Sequence, residues 1–182
     1  MKNKITFLIL FIVLGFYNLQ AQVTQEWVQR YHGYAYSLAV DGSGNVYVTG
    51  FNSGYATIKY NSNGDSLWVK RYNGPSNNVD DAKSIAVDNS GNVYVTGDSR
   101  TGGMNSRGDY ATVKYNSSGV IQWDKIYNAP GNSFENANSI AKDNSGNVYV
   151  TGSRAFSGQN YNYATVKYNS SGIPVTYHKC TL

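Results

Sequence analysis

A single cysteine, Cys180, stands in a sequence of 182 residues. It excludes an internal disulfide framework, so packing and backbone pairing must hold the fold. Histidine is almost as scarce: His32 and His178 are the only two, and neither has a matched partner for acid–base chemistry. Cys180 lies in an irregular C-terminal stretch and reads as an incidental thiol rather than a nucleophile. Charged residues make up 14% of the sequence and form no basic run, which argues against nucleic acid as a partner. Helix signals are nearly absent after the first 21 residues, and no later segment is apolar enough to span a bilayer.

Met1–Ala21 is a case apart. Lys2 and Lys4 precede an apolar run, Ile5–Phe16, and Asn18–Ala21 turns polar and ends on a small residue. That order predicts a secretory signal peptide cleaved after Ala21. The apolar core is shorter than the ~20 residues of a spanning helix, and no cysteine follows it to carry a lipid. Without Lys2 and Lys4, 13 basic residues face 11 acidic ones, so the mature chain is close to neutral. Residues 22–182 are enough for one domain with a real core.

What the chain does have is repetition. Asp41–Gly50 reads DGSGNVYVTG, and Asp88–Gly97 and Asp143–Gly152 both read DNSGNVYVTG. A short apolar piece precedes each block: Ser37–Asp41, Ser84–Asp88 and Ser139–Asp143. YATIKYN follows at Tyr55–Asn61, and YATVKYN at Tyr110–Asn116 and Tyr163–Asn169. Glycine turns come next (Asn61–Gly64, Asn116–Gly119, Asn169–Gly172), then tryptophan segments at Trp68–Tyr72 and Trp123–Tyr127. The repeats run over about 37–72, 84–127 and 139–179.

Each piece is rich in Val, Ile, Tyr and Thr and bounded by Gly, Asn and Ser, the composition of strands and turns. Alternation places Val93 and Val95 on one face and Tyr94 and Thr96 on the other. Ala111, Val113 and Tyr115 likewise oppose Tyr110, Thr112 and Lys114. Both faces carry aromatic or branched groups, so both are expected to be covered. The fourth piece mixes Trp123 with Gln122, Asp124 and Lys125, which suits an edge near solvent. Each repeat is therefore a four-stranded antiparallel meander, and the predicted fold is an all-β propeller of such blades. A sandwich gives no reason to repeat the same strands and turns three times.

The D-x-S-G-N-V-Y-V-T-G block, followed by Y-A-T-[IV]-K-Y-N and a late Trp, resembles the secreted bacterial β-propeller repeat, or SBBP repeat. The resemblance covers nearly all of Trp27–Gly172. It implies an extracellular propeller, usually a larger one, with a binding or scaffolding role, and it supplies no catalytic residues.

The blade count is three, a partial propeller or arc, whereas propellers typically have four to eight. Trp27–Tyr31 (WVQRY) reads as an extra outer strand without the inner strands that belong before it, and it could complete the last blade. After Gly172 the positions matching Trp123 and Tyr127 hold Thr176 and Cys180, and Pro174 cannot donate to a ladder. The expectation is a fragment of a larger propeller. Two copies of the chain forming a six-blade ring, and an open arc, are the other arrangements.

In a meander, alternate links share one end of the blade. The DxSGN and NSxG turns share the first end and hardly vary. The second end carries links of variable length: Phe51–Gly54, Asp98–Asp109, Ser153–Asn162, Asn73–Lys83 and Asn128–Asn138. Variable loops on a rigid scaffold are where binding groups gather. The candidate ligand-binding residues there are Arg100, Arg107, Asp109, Arg154, Phe156 and Tyr161, facing an extracellular protein or glycan. Asp80, Asp81, Lys83, Asp98, Asn105, Glu135, Gln159 and Asn160 lie at the same end.

No metal is expected. An EF-hand loop counted from Asp88 would need Glu at its twelfth position, and Ser99 stands there. Asp and Asn side chains capping a tight hairpin explain the motif better. The recurring tyrosines and tryptophans read as packing between blades. No cofactor and no catalytic set emerges. The expectation is a secreted, non-enzymatic binding or structural scaffold; the alternative is a carbohydrate-binding propeller, or the propeller domain of an extracellular polysaccharide-active enzyme.

Overall fold

The computed structural model describes residues 25–76, 80–100, 108–129, 134–155 and 161–175. The predicted signal peptide, His178 and Cys180 lie outside them. Among the described residues the fold is all-β, with three antiparallel sheets packed together as partial propeller blades. Blade 1 holds β1 (Tyr34–Val40), β2 (Val46–Phe51), β3 (Tyr55–Tyr60) and β4 (Ser66–Tyr72) in sequence order. Blade 2 repeats this with β5 (Asp80–Val87), β6 (Val93–Arg100), β7 (Gly108–Tyr115) and β8 (Ile121–Tyr127). Blade 3 has β9 (Phe134–Lys142), β10 (Val148–Ala155) and β11 (Tyr161–Tyr168). Among the described residues its fourth position is reached only by a bridge from Tyr168 to Pro174, with Val175 N donating to Lys167 O.

The inner strands start earlier than their repeated Ser-containing pieces. They begin at Tyr34, Asp80 and Phe134 rather than at Ser37, Ser84 and Ser139. Each carries an irregularity at the same place, between Ala35 and Ser37, between Ala82 and Ser84, and opposite Thr151 and Gly152. A bulge leaves one residue unpaired and bends its strand. The last glycine of each ten-residue block faces that bulge: a Cβ on Gly50, Gly97 or Gly152 would lie 1.8–1.9 Å from a carbonyl oxygen of the inner strand.

The opening aspartate of each block caps its hairpin. Asp88 Oδ1 accepts the N–H groups of Ser90 and Asn92, and Oδ2 accepts Asn92 Nδ2 and the Tyr94 hydroxyl, all at 2.8–3.0 Å. Asp41 and Asp143 repeat the four bonds. Burial pushes the Asp88 carboxyl up, but these donors outweigh it and hold the group below its ordinary range. Gly91 closes the turn with φ of 76°, a left-handed conformation that glycine adopts without steric cost.

Alternation decides the packing. Val93, Val95, Ala111, Val113 and Tyr115 meet Tyr47, Tyr55 and Tyr72 of blade 1 in one buried cluster. From the opposite face of blade 2, Tyr94 and Tyr110 meet Ala137, Ile140, Val148, Val150, Val166 and Tyr168 of blade 3. A tyrosine face thus packs on a valine face at both seams. The tryptophans lock them: Trp68 Nε1 donates to Ser117 O and Trp123 Nε1 to Ser170 O, each across to the following blade. The fourth strands β4 and β8 are exposed or half-buried except at Tyr72, as an outer edge should be.

Trp27–Tyr31 is in no strand. Trp27 nevertheless treats blade 1 as Trp68 treats blade 2. Its Nε1 donates to Ser62 O, its ring lies 6.0 Å from Tyr60, and it covers Gly64.

Candidate functional site

The repeated turns and the variable links fall at opposite ends of the blades, as the meander requires. The hairpins at the variable end differ in reach. In blade 1, β2 and β3 stop at the pair Phe51–Tyr55, closed by Asn52–Gly54. The equivalent pairs in blades 2 and 3 are Asp98–Tyr110 and Ser153–Tyr163. Both hairpins continue two pairs further, to Arg100–Gly108 and Ala155–Tyr161. Blades 2 and 3 therefore project beyond blade 1 at this end.

Four of the six candidate residues belong to described segments. Arg100 ends β6 and is half-buried, and Tyr161 opens β11. Asp109 is only 2% exposed, lodged inside the loop end rather than on its surface. Arg154 is half-buried, and its Nε lies 3.8 Å from Oε1 of the fully buried Glu135, its neighbour across the β10–β9 ladder. Arg107 and Phe156 lie outside the described residues, as do Asn105, Gln159 and Asn160. The structure thus gives Arg154 a structural duty that spacing did not reveal.

Acidic groups stabilise this end from within. Asp80, fully buried, accepts Gly74 N at 2.8 Å and Arg100 N at 3.3 Å. The inner-strand position of Asp80 corresponds to Glu135 in blade 3 and to Gly33 in blade 1. Asp98 reaches across a seam and accepts the N–H of Ala137, at the blade 3 bulge, at 3.0 Å. Burial raises the Asp98 carboxyl to about 7, against the pull of Lys83 and of that N–H. Lys83 itself lies 3.6 Å from Asp81 and 4.6 Å from the ring centre of Tyr36.

The raised carboxyl has a pH consequence. Between its ordinary 3.8 and about 7, folded Asp98 holds a proton that the unfolded chain has lost. Stability from this group is therefore present at low pH and falls as pH rises through that window, by up to ~1.4 kcal/mol for each pH unit. Asp98→Asn keeps an oxygen for Ala137 N and carries no charge. Melting temperature followed from about pH 4 to 7 should fall for the wild type and stay flatter for the variant. Parallel curves would refute the role given to Asp98.

A concavity lies at the outer face of blade 1. A groove of about 450 Å³ runs between Trp27–Tyr31 and the valine face, floored by Val48, Ala56 and Ile58. Sequence reasoning missed it, although the match between WVQRY and WVKRY was its signal. Among the described residues no three His, Cys, Asp or Glu side chains cluster as metal ligands.

No curated protein matches the sequence. Among solved structures, a protein of unknown function from Bacteroides caccae gives a TM-score of 0.48 at 13% identity, over 85% of this chain and 49% of its own. The GH43 endo-arabinanase from Bacillus licheniformis gives a TM-score of 0.40 at 15% identity, over 77% of this chain and 55% of its own. The chain spans about half the length of each. The family model of the SBBP beta-propeller repeat matches residues 27–50 and 67–101, and with its repeated antiparallel sheets the chain is a β-propeller repeat protein.

Proposed function

We propose that this chain is a secreted, non-enzymatic β-propeller scaffold that binds an extracellular macromolecule through the variable end of its blades. One observation carries the reading: the two ends are built differently. At the repeated end, aspartate and asparagine caps turn their hydrogen bonds inward on their own hairpins. At the other end, the hairpins of blades 2 and 3 outreach that of blade 1. Uneven loops on a regular scaffold are a frequent place for recognition.

The test shortens the links that follow the projecting ladder pairs and keeps the scaffold. Residues 101–107 and 156–160 are each replaced by Asn-Ser-Gly, the link that closes the blade 1 hairpin. The ladder pairs flanking both replacements lie two positions beyond the blade 1 closing pair, so side-chain facing is preserved. Arg154 is retained because of Glu135. Wild type and trimmed chain are applied to a glycan array and to immobilised extracellular proteins. Targets bound by the wild type and lost by a folded trimmed chain support the proposal. Targets that survive the trimming remove this end as the binding face, and binding confined to glycans selects the carbohydrate reading.

A further inference from the structure

The outer faces of blades 1 and 3 resemble the two sides of the internal seams. On blade 1, Leu38 is 65% exposed, while its counterparts Ile85 and Ile140 are 7% exposed inside the two internal seams. On blade 3, Tyr163 is 80% exposed, while its counterparts Tyr55 and Tyr110 are fully buried. Blade 1 thus exposes its valine face on the β1 side, at Leu38 and Val40, while Ala56, Ile58 and Tyr60 of β3 are buried beneath the groove, and blade 3 exposes its tyrosine face at Tyr163. Both internal seams show what each of these faces takes as its partner.

The polar match is as specific as the apolar one. Tyr55 OH donates to Ala111 O at 3.1 Å, and Tyr110 OH to Ala164 O at 3.3 Å. The next acceptor in that series is Ala56 O, in the floor of the groove on blade 1. Ala56 O already accepts Thr49 Oγ1. Ala111 O shows that this carbonyl can take both a threonine and a tyrosine, since Thr96 Oγ1 also donates to it. Within its seam Tyr55 packs 5.4 Å from Tyr72, and Tyr110 packs 5.5 Å from Tyr127. The corresponding wall of the groove is Tyr31.

Register extends the argument to the backbone. β3 pairs with β4 as Tyr55–Tyr72 and Lys59–Trp68, and β7 with β8 as Tyr110–Tyr127 and Lys114–Trp123. Carried to β11, the same register sets Tyr163 opposite Tyr31 and Lys167 opposite Trp27, using all five residues of WVQRY. Trp27 already sits on its own blade 1 where an outer-strand tryptophan belongs.

We propose that two copies of this chain assemble head to tail into a six-blade ring. In each seam the tyrosine face of one copy's blade 3 covers the valine face of the other's blade 1. Tyr163 fills the groove, and Trp27–Tyr31 of the second copy lies along β11 as the fourth strand of blade 3. The described residues place Pro174 and Val175 at the Lys167–Tyr168 end of that edge; a strand added from there towards Tyr163 supplies main-chain hydrogen bonds, and the alternating side chains fix the register. Each contact is heterologous, and such contacts make a ring when the rotation closes and a filament when it does not. Two copies give six blades, inside the usual range of four to eight, whereas three give nine.

The test is light scattering on the full mature chain across a concentration series. The expected mass is that of two copies. Tyr163→Arg, on an exposed position, should leave the fold intact and weaken association roughly 30-fold or more, as loss of a central tyrosine anchor does. Leu38→Arg on the other face should do the same, and mixing the two variants should restore a dimer through their one intact seam. For the strand, Gln29→Cys and Thr165→Cys are placed on separate Cys180→Ser chains, mixed, and treated with a short thiol cross-linker. A covalent dimer supports the register. A monomeric wild type, a dimer indifferent to Tyr163→Arg, a mass that grows without limit, or no cross-linked dimer would each overturn the proposal.

Discussion

Gly97→Ala is expected to cost about 3 kcal/mol, the upper end for overpacking a well-packed interior. The added Cβ would meet Asp81 O at 1.9 Å and Ala82 Cα at 2.9 Å. Both are backbone atoms, so no side chain can swing aside. Gly97 is not among the residues with positive φ, and the requirement is therefore for space. The inner strand bulges between Ala82 and Ser84, which brings its carbonyl over the glycine. Gly42→Ala is the control, since nothing lies within 4 Å of its added Cβ. Urea denaturation should show a large loss of stability for the first and almost none for the second. A Gly97→Ala midpoint close to wild type would show that the bulge relaxes freely.

Tyr55 supplies the second large effect. It is fully buried at the seam between blades 1 and 2, beside Tyr72 and with its hydroxyl on Ala111 O. Tyr55→Ala should cost about 3–5 kcal/mol, as removal of a large buried aromatic does. Tyr55→Phe should cost only about 0.5–1 kcal/mol. Ala111 O keeps its bond from Thr96 Oγ1, so the shorter side chain leaves no orphaned acceptor. The gap between the two variants separates packing from hydrogen bonding. Equal losses would mean that the hydroxyl, not the ring, holds the seam.

The seams could be read in the sequence because period two sorted valines from tyrosines, and each set was repeated three times. Those faces became the two buried clusters. The aspartate turns were legible for a related reason, since every donor to Asp88 lies within six residues of it. The bulges were not legible. Before Ser37, Ser84 and Ser139 the repeats share only Ala35, Ala82 and Ala137, because that part of the ladder rests on backbone pairing that most side chains permit. Loop length told the variable end of the blade from the repeated one. It gave no sign that Asp109 turns inward or that Arg154 serves Glu135. That ion pair joins neighbours across two strands, and such neighbours are known only once the register is known.

Trp68 is written in the first repeat, where its ring meets Tyr47, but it also packs in the second, on Tyr115, Gly119 and Ser117 O. The unit that melts together is therefore displaced by one strand from the unit that the sequence repeats. A boundary drawn after Tyr72 keeps blade 1 whole and strips blade 2 of its clasp. In an array coupled this way, cooperativity resides at the junctions between neighbours, and a single copy outside the ring frays inward from both extremes. Amide exchange in such a single copy should then be slowest in β6 and β7, whose blade has a neighbouring blade packed on each face.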